Sequence, residues 1–438
     1  MIKLIYNYFK LCIKLYTFDK DDVNNVNTLF DQIVDCGSVC IKITQWILPI
    51  LEMKYKIEYD NVPYWFSKLE NLYDNCNYHC DDYTRRVYLD EFNNEFSDKY
   101  KMIKVLSSGS MGGCYHIKSI DDDKDFCMKV IHPNIKYEMK ILTYLFKIPF
   151  FQNIFHKIVP ISFEIFFDKF KEQINMIKEA NNILQFRENY SKDELILIPK
   201  LYAVSSDILI MEYLPSYKLS EVDISDYKKT KLLSILFLFM RNNGLLNFNH
   251  GDLHKGNWGI NDNKIVIYDF GICWKYSQKK SKHNLKLVDL FDTEYAKDPL
   301  LFEKFSTILF ELMDHTFDRD DFLKYAKISN EKYELNKLDV KSIYNIVIRY
   351  FIERDKIMDY TFFIGIINVL QVNKIMLHYD VVNGRADIEW LNSKRKDLID
   401  ICEAYDSFKE YSNYYKDTLQ NESIDYNYIQ DKITQNLN

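Results

Sequence analysis

Two short motifs near the middle of the chain constrain its fold more than any other feature. Residues 250–257 read His-Gly-Asp-Leu-His-Lys-Gly-Asn, and Asp269-Phe270-Gly271 follows the run Ile-Val-Ile-Tyr at 265–268. This order provides a carboxylate at Asp252, an amide at Asn257, and a second carboxylate directly after a predicted β-strand. Each motif is common by chance, but the two in this order with a strand between them are specific. Together they predict an α+β, two-lobed, protein-kinase-like fold.

The pattern of apolar residues divides the chain into four parts. Helical periodicity dominates the first part, short β-type runs begin near Lys101, and helical patterns return in the second half apart from the motif region. The parts are an N-terminal helical extension at 1–99, a kinase-like N-lobe at 100–214, a mainly helical C-lobe at 215–410 and a polar, frayed tail at 411–438. Strands are predicted at 102–106, 114–117, 126–131, 195–199 and 208–212, with helical periodicity over 134–189.

Charge and cysteine content exclude some classes of protein. The net charge of −7 argues against a nucleic-acid-binding surface, where a basic stripe is expected. Nine scattered cysteines and no signal-peptide pattern favour an intracellular, reducing compartment over a disulfide framework. Two close pairs, Cys36/Cys40 and Cys76/Cys80, depart from the Cys-x-x-Cys spacing of zinc modules. We expect both pairs to be buried, inert thiols.

No segment has the composition of a membrane span. The apolar N-terminus is interrupted by Lys3, Lys10 and Lys14, and residues 358–377 contain several polar side chains. The N-terminal segment is therefore expected to form an amphipathic helix that either packs on the protein or lies on a membrane surface. A protein that is soluble or peripheral to a membrane follows from either alternative.

Glycine placement supports the site independently of motif matching. Only 11 glycines occur in 438 residues, and seven of them fall in two places where backbone must turn sharply. These are Gly109, Gly112 and Gly113 in a predicted loop, and Gly251, Gly256, Gly259 and Gly271 around the motifs. The loop Ser107–Gly113, including Ser110, joins two predicted strands, and its small residues suit phosphate oxygens. We expect it to cover the phosphates of a bound nucleotide.

Lys129 is predicted in the middle of a strand, where an unpaired ammonium is disfavoured. The functional alternative is a lysine that holds the α- and β-phosphates of ATP and pairs with a helix carboxylate. The other alternative is a solvent-facing lysine, which the downstream motifs make less favoured. Its expected partner is Glu179, with Glu172 as the second candidate. The connector that begins with Glu212 and Tyr213 is expected to meet adenine.

The two central motifs supply the remaining chemistry. Asp252 is expected to accept or orient the proton of an attacking hydroxyl. Asn257 and Asp269 are expected to provide oxygen ligands to Mg²⁺, a hard cation. His250 is assigned a structural role beneath Asp252, and His254 is assigned one in the loop. Lys255 is a minor candidate for contact with phosphate.

With these residues identified, the chain resembles the UbiB/ADCK family of atypical kinase-like proteins. Residues 37–46 look like the family's Lys-x-Gly-Gln segment, and 107–114 resemble its small-residue loop. Residues 129–133 are similar to its Lys-Val-x-His-Pro stretch, and 179–182 are similar to its Glu-Ala-x-Asn helix. The resemblance implies a regulatory role for Lys42 and Gln45, in which the extension's lysine lies over the active site and restrains protein phosphorylation.

The chain departs from the family pattern at three positions. The motif glycine is Thr44, and the family's Glu-x-Asp is replaced by Gln173 and Asn175. Because both acids are amides here, we expect Lys42 to lose an ion-pair partner and the restraint to be weakened or rewired.

Three functions are compatible with these residues. The favoured one is an atypical kinase or ATPase that binds Mg²⁺–ATP and acts in lipid or isoprenoid metabolism, as the resemblance implies. A nucleotide-binding pseudokinase scaffold is disfavoured because Lys129, Asp252, Asn257 and Asp269 are all present. A small-molecule phosphotransferase of the aminoglycoside/choline kinase type is suggested by the catalytic loop. The Lys42–Gln45 segment argues against this third function. No Ala-Pro-Glu segment follows Asp269, so docking of an ordinary peptide substrate is not expected.

Overall fold

The computed structural model describes residues 2–378 except 56–61, 74–78, 192–194, 225, 293–300 and 333–339. The predicted frayed tail at 411–438 lies outside the described residues.

The extension that precedes the first strand is helical, as predicted. Asp22 caps the second helix by accepting a hydrogen bond from the Asn24 backbone N–H, and Asn93 ends the fifth helix in a left-handed conformation. The helices are α1 (Ile2–Tyr16), α2 (Val23–Asp35), α3 (Ser38–Lys54), α4 (Tyr64–Glu70), α5 (Asp81–Phe92) and α6 (Phe96–Lys99), with a 3₁₀ turn at Asn71–Tyr73.

A five-stranded antiparallel sheet forms the N-lobe. Its strands lie in the order β1-β2-β3-β6-β5. The strands are β1 (Tyr100–Ser108), β2 (Gly112–Ser119), β3 (Asp125–Ile131), β5 (Leu201–Val204) and β6 (Ile208–Glu212). The predicted strand at 195–199 is wrong as a member of this sheet. It is the two-residue β4 (Ile196–Leu197), which pairs in parallel with β9 (Lys264–Ile267) of the other lobe.

Four helices occupy the region 134–189, where helical periodicity is predicted. Pro149 begins the second of them, Ser162 caps the third by accepting from the Ile165 N–H, and Asn175 caps the fourth by accepting from the Lys178 N–H. The helices are α7 (Ile135–Leu145), α8 (Pro149–His156), α9 (Phe163–Glu172) and α10 (Met176–Asn189). The helix α10 carries Glu179 along the inner side of the sheet.

The C-lobe is mainly helical and holds the motif region in short strands. Its helices are α11 (Asp226–Leu245), α12 (Gln278–Asp292), α13 (Leu301–Leu312), α14 (Arg319–Lys332), α15 (Val340–Glu353) and α16 (Tyr360–His378), with a 3₁₀ turn at Leu219–Glu221. Its strands, besides β9, are β7 (Asn249–His250), β8 (Trp258–Asn261) and β10 (Cys273–Trp274). The strands β8 and β9 form a hairpin, and β7 pairs with β10.

The two faces of the N-lobe sheet pack differently. Tyr115, Met128 and Ile210 lie on the outer face, in a small core that also contains Tyr88 of α5. Leu209 and Met211 face the opposite way, into the large core shared with the extension and the C-lobe. Because side chains alternate along a strand, the residues between the outer-face positions point into the cleft between the lobes.

The extension also packs against the last described helix of the C-lobe. Lys374 of α16 pairs with Glu52 of α3 at 2.9 Å and with Glu70 of α4. The helices α3 and α4 are therefore held against the C-lobe by α16. The α+β, two-lobed, kinase-like fold with an N-terminal helical extension is confirmed.

Candidate active site

Lys129 lies at the centre of a buried charge cluster. Its Nζ donates to both carboxylate oxygens of Glu179 at 2.8 and 2.9 Å and to Oδ1 of Asp269 at 3.0 Å. Burial alone would lower the pKa of Lys129, but the two carboxylates raise it above its usual range. Lys129 is therefore a fixed cation, and its partner is Glu179. Glu172, the second candidate, instead pairs with Lys169 and Lys178.

Asp269 adopts an unusual backbone conformation. Its φ of 52° lies in the left-handed region, which non-glycine residues seldom occupy outside sites that hold them there. Its Oδ1 also accepts from the Gly271 backbone N–H at 3.3 Å. Burial would raise the pKa of Asp269, but the Lys129 and Lys42 ammonium groups hold it well below its ordinary value. Asp269 is therefore ionised and aimed at the cleft.

The catalytic loop is held by a set of short-range hydrogen bonds. His250 is fully buried, its Nε2 contacts the Tyr268 carbonyl at 3.0 Å, and its Nδ1 accepts from the Asp252 N–H at 3.2 Å. The Asn257 amide donates to the Asp252 carbonyl at 2.9 Å. The Tyr268 N–H donates to the Asn257 carbonyl at 2.9 Å, which places Asn257 beside Asp269. The structural role assigned to His250 is confirmed.

Both carboxylate oxygens of Asp252 are occupied by side chains from other elements. Lys42 of α3 donates to Oδ2 at 2.6 Å, and Gln371 of α16 donates to Oδ1 at 2.9 Å. All three side chains are buried. Burial alone would raise the pKa of Asp252, but Lys42 and then His254 lower it overall. Lys42, expected to lose the partner that the two replaced acids would supply, pairs with Asp252 instead, because α3 lies close enough to the catalytic loop to reach it.

Gln45, one turn after Lys42 on α3, contacts the glycine-containing loop. Its Oε1 accepts from the Ser110 hydroxyl at 3.3 Å, and its Nε2 donates to the Leu72 carbonyl at 2.7 Å. The loop itself is tight, since the Gly109 N–H donates to the Gly112 carbonyl at 3.0 Å. A Cβ at Gly112 would lie 2.6 Å from the Val130 carbonyl oxygen, so no larger residue fits there.

A histidine pair fastens the same loop from its outer side. His132 Nε2 contacts the Gly109 carbonyl at 2.9 Å, and the Nδ1 atoms of His132 and His79 lie 2.7 Å apart. The Tyr115 hydroxyl contacts His79 Nε2 at 2.8 Å. One arrangement satisfies all three contacts with neutral rings: Tyr115 donates to His79, His79 donates to His132, and His132 donates to Gly109.

The connector between the lobes is built from Glu212 and Tyr213. The Glu212 N–H donates to the Lys200 carbonyl at 2.7 Å, so that donor is already used. The Tyr213 ring stacks on His116 with 4.0 Å between ring centroids and 11° between planes. Tyr213 therefore lies beside His116, at the end of the sheet face that points into the cleft.

The structure brings the predicted residues together and adds two that the sequence did not reveal. Asp252, Asn257, Asp269, Lys129, Glu179, Lys42 and the loop surround one cleft. Gln371 and His79 were missed, because neither belongs to a local motif. Their positions depend on how α16 and the segment before α5 pack. The functional roles of the predicted residues stay predictions.

Comparison with known proteins identifies the family of this chain. Residues 71–298, just over half of the chain, match the family described as the ABC1 atypical kinase-like domain. The Lys42–Gln45 segment precedes the matched region, whereas all the other predicted site residues fall within it.

The curated relatives are distant and match only over a part of their length. A probable protein kinase UbiB from Enterobacter sp. (strain 638) is 22% identical over 213 residues, covering 44% of this chain and 39% of that protein. The putative ABC transporter A445L of Paramecium bursaria Chlorella virus 1 is 25% identical over 190 residues, covering 40% of this chain and 38% of that protein. The chain therefore spans less than half the length of these relatives.

A solved structure, the complex of Rv3197 with erythromycin from Mycobacterium tuberculosis, is similar with a TM-score of 0.42 and 13% identity. The similarity covers 67% of this chain and 82% of that chain. It supports no statement about ligands. The match to the family over more than half of the chain shows that this protein belongs to the ABC1 (UbiB/ADCK) family of atypical kinase-like proteins.

Proposed function

We propose that this protein is an atypical kinase or ATPase that binds Mg²⁺–ATP and transfers or hydrolyses its γ-phosphate. The observation that carries the proposal is the charge cluster beneath the glycine-containing loop. In it, Lys129 Nζ lies 2.8 to 3.0 Å from carboxylate oxygens of Glu179 and Asp269. A buried lysine held between two carboxylates keeps its charge and its position, which is what phosphate binding requires. A scaffold without nucleotide chemistry would need neither the fixed ammonium nor the strained Asp269.

Each residue has a role in this proposal. Lys129 contacts the α- and β-phosphates, and Glu179 orients it. The loop with Gly109, Ser110, Gly112 and Gly113 covers the phosphates through its backbone N–H groups. Glu212 and Tyr213 border the adenine. Asp252 orients the attacking hydroxyl or water and takes up its proton as the bond to phosphorus forms.

Asn257 and Asp269 would hold Mg²⁺, which neutralises developing charge on the phosphate oxygens when it is bound. Their chemistry fits the ion, because Mg²⁺ prefers carboxylate and amide oxygens and usually completes its shell with water and substrate phosphates. Within the residues that the structure describes, no group of three His, Cys, Asp or Glu side chains could hold a metal by itself. The phosphates of the nucleotide therefore belong to the proposed coordination shell.

The extension restrains the reaction in this proposal. An acceptor hydroxyl must reach an oxygen of Asp252, and Lys42 and Gln371 occupy both of them. Gln45 holds the phosphate-covering loop through Ser110. Access requires α3 to move away from the catalytic loop, which makes Lys42 and Gln45 the regulatory residues. A protein substrate is therefore disfavoured, and a small acceptor linked to lipid or isoprenoid metabolism is favoured by the family.

The helix α1 supports peripheral contact with a membrane. Tyr8 and Leu11 pack inward, but a row of large apolar side chains at helical spacing faces solvent. The row comprises Tyr6 (56% exposed), Phe9 (51%), Ile13 (64%) and Tyr16 (93%). Lys3, Lys10 and Lys14 on the same helix suit anionic head groups. Of the helices that the structure describes, none is long and apolar enough to pass through a bilayer.

ATP turnover by the purified full chain tests the proposal. We expect phosphate release that requires Mg²⁺ and falls at least about a hundredfold in Asp252→Asn, since a positioned base contributes that much. Anionic lipid vesicles are expected to raise the rate. Nucleotide binding without turnover, with or without vesicles, would instead favour the pseudokinase scaffold. Turnover on aminoglycosides or choline would favour the small-molecule phosphotransferase.

A further inference from the structure

The cleft face of the N-lobe sheet carries two cysteines between Lys129 and the connector. Cys114 of β2 is paired in register with Lys129 of β3, and His116 is paired with Cys127. Because side chains alternate, these four residues lie on the face opposite Tyr115 and Met128, which are in the outer core. Both thiols therefore lie on the roof of the cleft that the proposed function assigns to the nucleotide.

The two thiols are neighbours on one face of the sheet. Cys114 and Cys127 occupy diagonal positions on adjacent strands, and both are partly exposed. Cys127, followed by the Lys129 ammonium, lowers the pKa of Cys114, whereas the pKa of Cys127 is raised. One thiol is thus the better nucleophile and the other is its neutral neighbour. This is the polarity that a redox-active pair requires.

A second thiol pair in the same chain shows the contrast. Cys36 and Cys40 are four positions apart, but both are buried, and Cys36, followed by burial, raises the pKa of Cys40. That pair agrees with the expectation of inert thiols. Cys80 does not, since it is exposed. The chain therefore offers a buried pair and an exposed single thiol as internal comparisons.

We infer that Cys114 and Cys127 form a peroxide-sensitive modification site whose disulfide closes the nucleotide cleft. The inference rests on the proposed function for its consequence but not for its chemistry. Diagonal positions on neighbouring strands are farther apart than the two Cβ atoms of a disulfide, so closing the bond shifts β2 along β3 and distorts the ladder between them. That displacement lies next to Gly112, Gly113 and Lys129. A bond under such strain is readily reduced, which makes the modification reversible.

The oxidation balances with hydrogen peroxide as the oxidant. The Cys114 thiolate attacks one peroxide oxygen, the S–O bond forms, and the O–O bond breaks. The departing hydroxide takes up the proton lost by Cys114 and leaves as water. Cys127 sulfur then attacks the Cys114 sulfur, the S–S bond forms, the S–O bond breaks, and the second hydroxide leaves as water with the Cys127 proton. Two thiols are oxidised, and one peroxide is reduced to two waters.

Peroxide treatment of the full chain, followed by peptide mapping, tests the chemistry. We expect a Cys114–Cys127 cross-link that is reversed by dithiothreitol and forms about tenfold faster than any Cys36–Cys40 cross-link. In Cys127→Ser, dimedone should trap a sulfenic acid at Cys114 with no cross-link. In Cys114→Ser, neither product should form, and Cys36→Ser should behave as wild type. Oxidation confined to Cys80, or equal rates for both pairs, would overturn the inference.

The nucleotide-induced thermal shift tests the consequence. We expect peroxide to abolish the shift in wild type and in Cys36→Ser, dithiothreitol to restore it, and peroxide to leave unchanged whatever shift Cys114→Ser shows before treatment. A cross-linked protein that keeps its full shift would show that the disulfide does not close the cleft. A cross-link in a protein that shows no shift even when reduced would contradict the proposed function while leaving the thiol chemistry established.

Discussion

The ammonium of Lys42 lies 2.6 Å from a carboxylate oxygen of Asp252, and both side chains are buried. The two residues are 210 positions apart, so the contact exists only because α3 packs across the cleft. It joins the proposed regulatory segment directly to the proposed catalytic base. The restraint is expected to be weakened or rewired by Gln173 and Asn175, and this contact is what a rewired restraint, through Asp252, would require.

Replacing Lys42 should release the base at a cost in stability. Lys42→Ala removes the ammonium from the buried Asp252 and leaves it with Gln371 and the more distant His254, which should destabilise the protein by about 3–5 kcal/mol. It should also raise ATP turnover roughly tenfold, because a charge-assisted hydrogen bond of about 1.5–3 kcal/mol no longer has to break. Steady-state phosphate release and thermal unfolding measure the two effects.

Lys374→Ala is the matched control for that variant. It removes a lysine that ties α16 to α3 through Glu52 and to α4 through Glu70, without touching Asp252. We expect a loss of stability without the full rise in turnover. Equal turnover in Lys42→Ala and wild type would show that the Lys42–Asp252 pair does not restrain the reaction.

Two glycines of the glycine-containing loop, Gly109 and Gly112, should differ in how well they tolerate substitution by alanine. Gly112→Ala would place a Cβ 2.6 Å from the Val130 carbonyl oxygen, so β2 and β3 must separate. We expect a loss of about 1–3 kcal/mol of stability and a weaker nucleotide-induced thermal shift. Gly109→Ala meets only the Gly112 carbonyl at 3.8 Å and should be tolerated. Equal behaviour of the two variants would contradict the described loop packing.

The His79–His132 pair predicts a pH dependence of stability. Burial, followed by the nearby His132, lowers the pKa of His79 to about 4, and burial lowers the pKa of His132. A histidine whose pKa is lower in the folded protein than its unfolded value of about 6.5 contributes to the free energy of unfolding. That contribution is fully present above about pH 6.5 and is lost as the pH falls toward the folded pKa. The melting temperature should therefore fall as the pH is lowered from about 6.5 to about 4.

Two histidine variants test whether the His79–His132 pair causes this pH dependence. In His79→Asn the loss over this pH range should be smaller than in wild type, since one depressed group is gone. His156→Asn, in α8, is the comparison, because no hydrogen bond links that histidine to the loop among the contacts described here. If His79→Asn keeps the wild-type slope, the neutral hydrogen-bonded chain from Tyr115 to Gly109 is wrong.

The exposed row on α1 predicts binding to anionic vesicles. Phe9→Glu together with Ile13→Glu should reduce co-sedimentation with such vesicles about tenfold or more, because two apolar side chains of roughly 1.5–3 kcal/mol each are replaced by charges. Ile328→Glu changes an equally exposed isoleucine on α14 and should bind as wild type does. Unchanged binding of the double variant would favour a helix that only packs on the protein.

Local motifs predicted the residues of the catalytic loop and the N-lobe sheet, but not the residue that α16 brings into contact with them. Asp252, Asn257 and Asp269 could be identified because their spacing is fixed by one loop and one strand. Lys129 and its partner followed from a strand and a helix with recognisable sequence. Gln371 could not be found, because it lies 119 positions from Asp252 and reaches it through the packing of α16.

The misplaced strand has a similarly specific cause. The run at 195–199 has β-type composition, but Pro199 lacks an N–H and ends the strand before it can join the large sheet. The actual edge strand, β5, has only four residues, and its alternate side chains, Tyr202 and Val204, are exposed. The periodicity over 134–189 continued through two prolines, and the caps at Ser162 and Asn175 divide it into separate helices.

The most direct test is the nucleotide-induced thermal shift with and without Mg²⁺, on wild type and Asp269→Asn. We predict that saturating ATP with Mg²⁺ raises the melting temperature of wild type by on the order of 5 °C, and that chelation of the metal removes most of the rise. Asp269→Asn should lose the part of the shift that depends on Mg²⁺. A wild-type protein with no Mg²⁺-dependent shift, or an Asp269→Asn variant with the full shift, would contradict the proposed nucleotide site.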